Sequence, residues 1–332
     1  MISRREFLRD IGVAGAASAL GLRSGLLAAE PAPETRRLRL AQIDGNCYAP
    51  QYVAQEMLRA EGFSDLRYVR MAGSAQLYPA LASGDIDMSM AFVAPFIAET
   101  DAGGSVVMLA GIHPGCLEMF GSNRIQSVRD LKGKSVAIQG MNSAPHAFIA
   151  SFAAHVGLDP RRDINWVVLP TEEWLRQFAD GKIDAFMSGP PASYDARAKR
   201  IGHVVVNITV DRPWSQYFCC VLTGNREFVR KNPVATKRAM RAILKGANLC
   251  GSPEPSARLL VSRGFATNHD YALQMLRELP YARWREYDPE DTVRFYALRL
   301  QEGGLIKSGP KKIIADGTDW RILNELKKEL KA

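Results

Sequence analysis

The chain has 332 residues, of which 47% are hydrophobic and 23% are charged, so it is long and apolar enough for two core-forming domains. Residues 1–29 contribute four arginines and two acidic residues to the formal net charge of +8, and the other basic residues are scattered among acids. The sequence has no zinc-finger spacing, no aromatic RNA-binding signature and no helix-turn-helix segment. We therefore predict a mildly basic surface and no nucleic-acid partner.

The first residues carry an export signal of the twin-arginine type. Residues 3–9 read Ser-Arg-Arg-Glu-Phe-Leu-Arg, and a weakly apolar run rich in glycine and alanine follows at residues 11–22. This run is too short and too mild for a membrane span. We predict a signal peptide over residues 1–29, with cleavage near Ala28 and Ala29. The twin-arginine translocase would then export the folded chain to the periplasm.

Strands and helices alternate along the chain after a short linker at residues 31–35. Apolar runs predict strands at residues 38–43, 66–70, 88–91, 106–110, 135–138, 166–169, 185–188, 204–207 and 217–223. Helical periodicity predicts helices at residues 50–61, 74–83, 95–101, from 144 onward, and at 233–249, 255–263, 269–279, 289–301 and 320–332. This order predicts an α/β fold with mainly parallel sheets flanked by helices.

Two stretches of the chain share one order of strand, loop and helix start. In the first, the strand at 38–43 leads through a loop to Ala49-Pro50; in the second, the strand at 135–138 leads to Ala144-Pro145. Proline is favoured at the first position of a helix. Gly84-Asp-Ile-Asp87 and Gly181-Lys-Ile-Asp184 each precede a further strand. We therefore predict two similar lobes, each of which aims a loop and a helix N-terminus at a shared cleft.

These motifs, together with the turn Asp130-Leu-Lys-Gly-Lys134, resemble the periplasmic solute-binding proteins of ABC importers. The resemblance covers residues 38–305 and is greatest to the nitrate/sulfonate/taurine and thiamine-precursor (NMT1/THI5-like) group. It implies a two-lobed periplasmic-binding-protein fold of type II, with a ligand cleft between the lobes. We expect lobe 1 to comprise residues 36–122 and 215–332 and lobe 2 residues 123–212, with hinge crossings near 123 and 212–214.

The resemblance implies a binding protein that carries out no chemistry and needs no cofactor. It would capture a small organic molecule or an oxyanion, such as a sulfonate, nitrate or a pyrimidine-like compound, and deliver it to the permease and ATPase of an ABC importer. We expect a monomer.

One alternative is an enzyme of pyrimidine synthesis in the thiamine pathway, which holds pyridoxal phosphate as a lysine Schiff base. No lysine precedes Lys132, so the first lobe cannot supply that lysine, and the export signal argues against a cytosolic enzyme. A second alternative is a periplasmic sensor that presents its ligand to a membrane receptor.

The predicted ligand site consists of loop residues and aromatic side chains at strand ends. Its members are Asn46, Cys47, Tyr48, Ser74, Phe92, Val93, His113, Asn142, Ser143, His146, Gly189, Trp214 and Phe218. We expect Asn142, Ser143 and His146 to hydrogen-bond to the ligand, and His146 to change its charge near physiological pH. Neither central loop contains arginine, so an anion would depend on backbone N–H groups and hydroxyls, which leaves room for a planar or neutral ligand.

The five cysteines are odd in number, and their spacings fit no disulfide framework. His113-Pro-Gly-Cys116 has a plausible spacing for two metal ligands, but no His-x-x-x-His or Cys-x-x-Cys motif accompanies it. We therefore predict structural or ligand-lining cysteines and no metal site. No nucleotide motif or nucleophile elbow occurs, and Asp85, Asp87 and Asp184 look like strand-entry residues, so we predict no catalytic residues.

Overall fold

The computed structural model of the chain describes residues 30–43 and 46–330; the predicted signal peptide lies outside these residues. The strands are β1 (Arg37–Ile43), β2 (Asp65–Met71), β3 (Met88–Phe92), β4 (Val106–Pro114), β5 (Glu118–Gly121), β6 (Lys134–Ile138), β7 (Ile164–Val168), β8 (Ala185–Ser188), β9 (His203–Asn207) and β10 (Phe218–Asn225). Short 3-10 turns lie at Asn46–Tyr48, Val128–Leu131, Trp214–Gln216 and Tyr281–Arg283.

The helices occupy the connections between strands and most of the chain after β10. They are α1 (Ala49–Val53), α2 (Gln55–Ala60), α3 (Ser74–Ser83), α4 (Val93–Asp101), α5 (Ala144–His155), α6 (Thr171–Ala179), α7 (Ala192–Ala198), α8 (Arg226–Lys231), α9 (Pro233–Leu249), α10 (Pro253–Ser262), α11 (His269–Glu278), α12 (Pro289–Glu302), α13 (Pro310–Gly317) and α14 (Arg321–Glu329). Among the described residues, no helix combines the length and the apolar character that crossing a membrane requires.

The molecule has two halves that share one strand order. The first half is built on strands β1 to β4 and β10, and the second half on strands β5 to β9. The second half forms a five-stranded sheet in the order β7-β6-β8-β5-β9. In the first half, β1 pairs with β2, and β3, β10 and β4 form a second group. Hydrogen bonds between Arg39 of β1 and Asp87, just before β3, place these two groups side by side. The resulting order, β2-β1-β3-β10-β4, matches that of the second half.

The fourth position of each order is held by a strand that crosses over from the other half. Strand β5 pairs antiparallel with β8 and β9, and β10 pairs antiparallel with β3 and β4. The expected parallel pairing holds for β1 with β2 and for β6 with β7 and β8. The sheets are therefore mixed, because each crossing strand enters its sheet from the opposite direction.

The pairing of strand β5 also places the first connection between the halves earlier in the chain than predicted. The predicted boundary at residue 122 assigned residues 118–121 to lobe 1, whereas these residues pair with β8 and β9. Sheet pairing places the two connections at residues 115–117 and 208–217, so the first predicted hinge, near residue 123, lies too late. The predicted hinge at 212–214 falls within the second connection. The division into two moving lobes itself stays a prediction.

The C-terminal helices cover both halves rather than the first alone. Helix α9 packs on α1, where a side chain at Gly246 would meet the carbonyl oxygen of Pro50 at 2.3 Å. Helix α12 packs on α4 and also on α5 of the second half. At this contact the ring of Phe148 lies 5.4 Å from that of Tyr296. The buried face of α12 therefore joins the two halves on one side of the molecule.

Candidate ligand-binding cleft

A cleft lies where the strand ends of the two halves face each other. It encloses a cavity of about 150 Å³ and is partly open to solvent. The first half lines it with Ile43, Cys47, Tyr48, Ala72, Gly73, Ser74 and Phe92; Leu117 lies at the first crossing; and the second half contributes Gln139, Ala144, Pro145, Thr171, Trp174, Met187, Ser188, Gly189, Pro190, Pro191 and Ala192.

Several predicted site residues line this cleft. Cys47 and Tyr48 lie in the 3-10 turn that follows β1, and Asn46 begins that turn. Ser74 is the first residue of α3, and Phe92 is the last residue of β3. Gly189 follows β8 and lies against the crossing, because a side chain there would meet the carbonyl oxygen of Cys116 at 2.9 Å. Their contact with ligand stays a prediction.

Four of the other predicted site residues are buried and lie behind the cleft wall. Val93 is fully buried in α4, and Phe218 is fully buried with its ring 5.5 Å from that of Tyr287. Trp214 packs its ring 4.4 Å from that of Phe152 in α5. Ser143 precedes the lining residues Ala144 and Pro145, but its own side chain is buried among protein atoms. These residues shape the wall through packing.

His146 has a structural partner in its own loop. Its Nδ1 accepts a hydrogen bond of 3.0 Å from the backbone N–H of Asn142, a residue with φ of +62°. Its ring lies 4.7 Å from that of Trp166, and burial lowers the pKa of His146 to about 4. The expected change of charge near physiological pH is therefore wrong, since the imidazole stays neutral there. His146 holds the loop and is absent from the described lining of the cleft.

His113 is also occupied within the protein. Its Nε2 lies 3.0 Å from the carbonyl oxygen of Cys47, and its Nδ1 lies 3.1 Å from that of Pro114. The side chain is fully buried, and burial lowers the pKa of His113 to about 4. His113 therefore positions the turn that carries Cys47 rather than facing the cleft.

Sequence reasoning missed the polar residues that the second half contributes. Gln139 directly follows β6, and its Nε2 donates to Thr171 Oγ1 at 2.9 Å. Trp174 lies on α6, and its indole N–H donates to the carbonyl oxygen of Leu169 at 3.1 Å. Ser188 ends β8 as Phe92 ends β3. The rule that ligands lie at the carboxyl ends of strands could have found Gln139 and Ser188.

The described lining of the cleft contains no charged side chain. Its polar groups are hydroxyls, amides and the starts of α3 and α5, where the N–H of Ala144 donates to Ser74 Oγ at 3.3 Å. The hydroxyl of Tyr48 is buried and has no hydrogen-bond partner among the described residues. Burial raises the pKa of Tyr48 well above its ordinary value, so this hydroxyl stays protonated and can donate.

Three thiols from separate segments meet beside the cleft. The sulfur atoms of Cys47, Cys116 and Cys220 all lie within 4.8 Å of one another. Cys219 Sγ lies 3.3 Å from Cys116 Sγ, and all four side chains are buried. Positions 47, 116 and 219–220 are far apart along the chain, so their spacing could not predict this cluster.

Comparisons with known proteins give one consistent fold. Residues 31–262 match the NMT1-like family. The structure is similar to the periplasmic nitrate-binding protein NrtA from Synechocystis PCC 6803, with a TM-score of 0.75, 16% identity and coverage of 91% of this chain and 90% of that chain. It is also similar to the alkanesulfonate-binding protein SsuA from Xanthomonas axonopodis pv. citri, with a TM-score of 0.70, 19% identity and coverage of 88% and 100%.

The periplasmic aliphatic sulphonate binding protein SsuA from Escherichia coli has a TM-score of 0.63, 21% identity and coverage of 82% of this chain and 86% of its own. No curated protein matches the sequence. These likenesses confirm the predicted fold class, that of periplasmic binding proteins.

Proposed function

Because the chain belongs to the NMT1-like family, we propose that it is an exported substrate-binding protein that captures an uncharged small organic molecule. The ligand occupies the cleft between the two halves and passes to the permease and ATPase of an ABC importer. The protein acts in the periplasm, which it reaches through the twin-arginine translocase, and works as a monomer. The solved relatives, which bind nitrate and sulfonates, support the transport role.

The proposal of an uncharged ligand, rather than an anion, rests on the uncharged side chains that line the cleft. A nitrate or a sulfonate needs positive charge or several convergent donors to replace its water. The described lining has no charged side chain; besides the helix starts at Ser74 and Ala144 it offers the aromatic rings of Tyr48, Phe92 and Trp174, the amide of Gln139 and the hydroxyl of Thr171. Such a set suits a planar ring with a few polar atoms, which can stack on aromatic side chains and accept a hydrogen bond from Tyr48.

Contacts between the two halves beside the cleft support a mechanism in which the halves close around the ligand. On one side, helix α11 of the first half meets α7 of the second. Tyr271 donates to Asp195 at 2.7 Å, while Tyr194 and Arg197 bond to Glu278 at 2.9 Å and 3.2 Å. These contacts form only when α7 and α11 approach. A ligand that touches both walls stabilises this closed arrangement by its differential affinity.

The enzyme alternative would need a lysine in the cleft to hold its cofactor. A pyridoxal phosphate Schiff base requires a lysine at the site, and no described residue of the cleft lining is lysine. A sensor would use the same cleft, so the two binding roles differ only in the membrane partner. Deletion of a neighbouring permease gene abolishes uptake of the ligand in the transport case and leaves uptake unchanged in the sensor case.

Trp174 provides a direct test of the proposed ligand class. The mature protein is titrated with neutral pyrimidines and aromatic amides in one series, and with nitrate and alkanesulfonates in another, while tryptophan emission is recorded. We expect saturable emission changes in the first series only. Trp174→Phe should remove the signal, whereas Trp284→Phe, a buried tryptophan outside the described lining, should keep it. Saturation by the anions alone would contradict the proposal.

A further inference from the structure

We propose that the buried thiols of Cys47, Cys116 and Cys220 bind one thiophilic metal ion with a filled d shell, either Cu⁺ or Zn²⁺. This site is separate from the proposed transport ligand and does not depend on it. The three cysteines come from the turn after β1, the first crossing and strand β10. Cys219 Sγ lies 3.3 Å from Cys116 Sγ but is outside the group of three sulfur atoms that all lie within 4.8 Å of one another.

The distances between the sulfur atoms suit a shared metal. All three pairs among Cys47, Cys116 and Cys220 lie within 4.8 Å, and the Cys116–Cys220 separation is 3.8 Å. Two sulfur ligands at about 2.3 Å from one ion are separated by less than twice that distance, so the thiols can reach a common centre with small rotations. Thiolate sets of this kind select Cu⁺ and Zn²⁺ over hard cations.

The surrounding structure fixes these cysteines before any metal arrives. The carbonyl oxygen of Cys47 receives a hydrogen bond of 3.3 Å from the Tyr281 hydroxyl and lies 3.0 Å from His113 Nε2. The N–H of Cys116 donates to Thr209 Oγ1 at 3.2 Å. Cys220 lies in β10, paired on both sides by β3 and β4. Hydrogen bonds to the residues that carry metal ligands orient those ligands.

The backbone of Cys116 gives an independent indication. Its φ is +101°, a conformation that residues with a side chain rarely adopt. Glycine would relieve the strain, yet the chain places a thiol at this position, and strained residues cluster at functional sites. An ion has two routes to the cluster, because Cys47 lines the cleft and Cys116 lines a second cavity beside Glu118 and Tyr194.

The alternative is that these thiols only fill space, as small apolar side chains do. Cys250 serves as the matched control, since it is fully buried and lies outside the thiol cluster. The mature protein and its Cys→Ser variants are reduced, loaded anaerobically with Cu⁺ or Zn²⁺ in separate samples, desalted and analysed for metal. Circular dichroism checks the fold of each variant.

We expect one ion per chain in the wild type and in Cys250→Ser, and less than a tenth of that in Cys116→Ser and Cys220→Ser. Cys219→Ser should keep either ion, because Cys219 lies outside the group of three mutually close thiols. X-ray absorption of the loaded wild type, which needs no variant, should show sulfur ligands, at about 2.3 Å for zinc.

Three results would overturn the proposal. The first is equal metal content in Cys116→Ser and the wild type. The second is a metal environment of oxygen and nitrogen only. The third is a wild-type protein that retains no metal when its thiols are reduced.

Discussion

Asp87 and Asp184 make the same contacts in the two halves of the molecule. Asp87 accepts from the N–H of Arg39 at 2.7 Å and returns a hydrogen bond to the carbonyl oxygen of Arg39 at 3.0 Å. Asp184 accepts from the N–H of Ser135 at 3.0 Å and returns one at 2.7 Å. Asp87 thus ties β3 to β1, and Asp184 ties β8 to β6. In each half, this aspartate is the last residue of the repeated Gly-x-Ile-Asp motif.

Removal of either aspartate should destabilise the fold. Asp87→Ala leaves the N–H of Arg39 in β1 without its acceptor, and Asp184→Ala does the same for the N–H of Ser135 in β6. The free energy of unfolding of each variant should therefore fall by about 1–3 kcal/mol. Urea denaturation measures this change. Asp85→Ala, at an exposed position two residues away, should change stability by less than about 0.5 kcal/mol. An equal loss in Asp85→Ala would contradict the assigned role.

Periodicity and repeats predicted the elements of both halves because their signals are local. Strands β3, β6 and β8 carry apolar runs, and α9 was predicted with the bounds that the structure has. Strand β5 was missed because its residues, Glu-Met-Phe-Gly, form no apolar run, and its place depends on partners distant in sequence. The predicted helix at residues 50–61 is divided at Ala54 into α1 and α2.

The site was harder to predict because side-chain direction depends on tertiary packing. At the start of α5, Ala144 and Pro145 line the cleft, while His146 turns toward Trp166. Neighbouring helical residues point in different directions, and the sequence does not say which direction faces a ligand. The thiol cluster likewise depends on how distant segments meet.

The Tyr48 hydroxyl should matter for ligand binding and little for folding. Tyr48→Phe should weaken the affinity for the cleft ligand by about 1–3 kcal/mol, the usual effect of losing a buried hydrogen bond. Its stability should be unchanged or higher, because the hydroxyl has no partner among the described residues. Calorimetry and thermal unfolding measure the two quantities.

Tyr296→Phe is the matched control for Tyr48→Phe. The Tyr296 hydroxyl is also buried and also lacks a hydrogen-bond partner among the described residues, but it lies outside the described lining of the cleft. Its removal should leave affinity unchanged. If both variants lose affinity equally, the hydroxyl of Tyr48 does not contact the ligand.

The contacts between α7 and α11 should set how long the ligand stays bound. The double variant Tyr194→Phe/Tyr271→Phe removes two hydrogen bonds between α7 and α11. We expect several-fold faster ligand release in stopped-flow experiments, with Tyr217→Phe as a control outside this contact. Small-angle scattering should show compaction of the wild type by ligand. Tight binding without any change in radius would contradict a hinged closure.

The buried histidines should make stability depend on pH. Burial lowers the pKa of His113 and of His146 to about 4, below the ordinary value of 6.5. As the pH falls below about 6.5, the two histidines bind protons in the unfolded chain but stay neutral in the folded protein. The free energy of unfolding therefore declines until the pH reaches about 4, where the folded protein also binds these protons. We expect a loss on the order of 3 kcal/mol per histidine. His146→Gln should make the decline shallower, and an unchanged pH profile would contradict this role.

The export route can be tested through the paired arginines. Twin-arginine recognition depends on guanidinium groups rather than on charge alone, so Arg4→Lys/Arg5→Lys should hold the precursor in the cytoplasm. Fractionation followed by immunoblotting measures its location. Arg23→Lys, in the same predicted signal peptide, should leave export intact. Normal periplasmic recovery of the double variant would refute the twin-arginine assignment.

Native mass spectrometry of the protein purified from its own periplasm tests most directly whether it captures an uncharged small molecule. We predict one non-covalent organic ligand per chain, neutral at physiological pH, released unchanged on denaturation and lost from Tyr48→Phe more readily than from Tyr296→Phe. Retention of nitrate or a sulfonate, or of a ligand that the protein has chemically converted, would contradict the account.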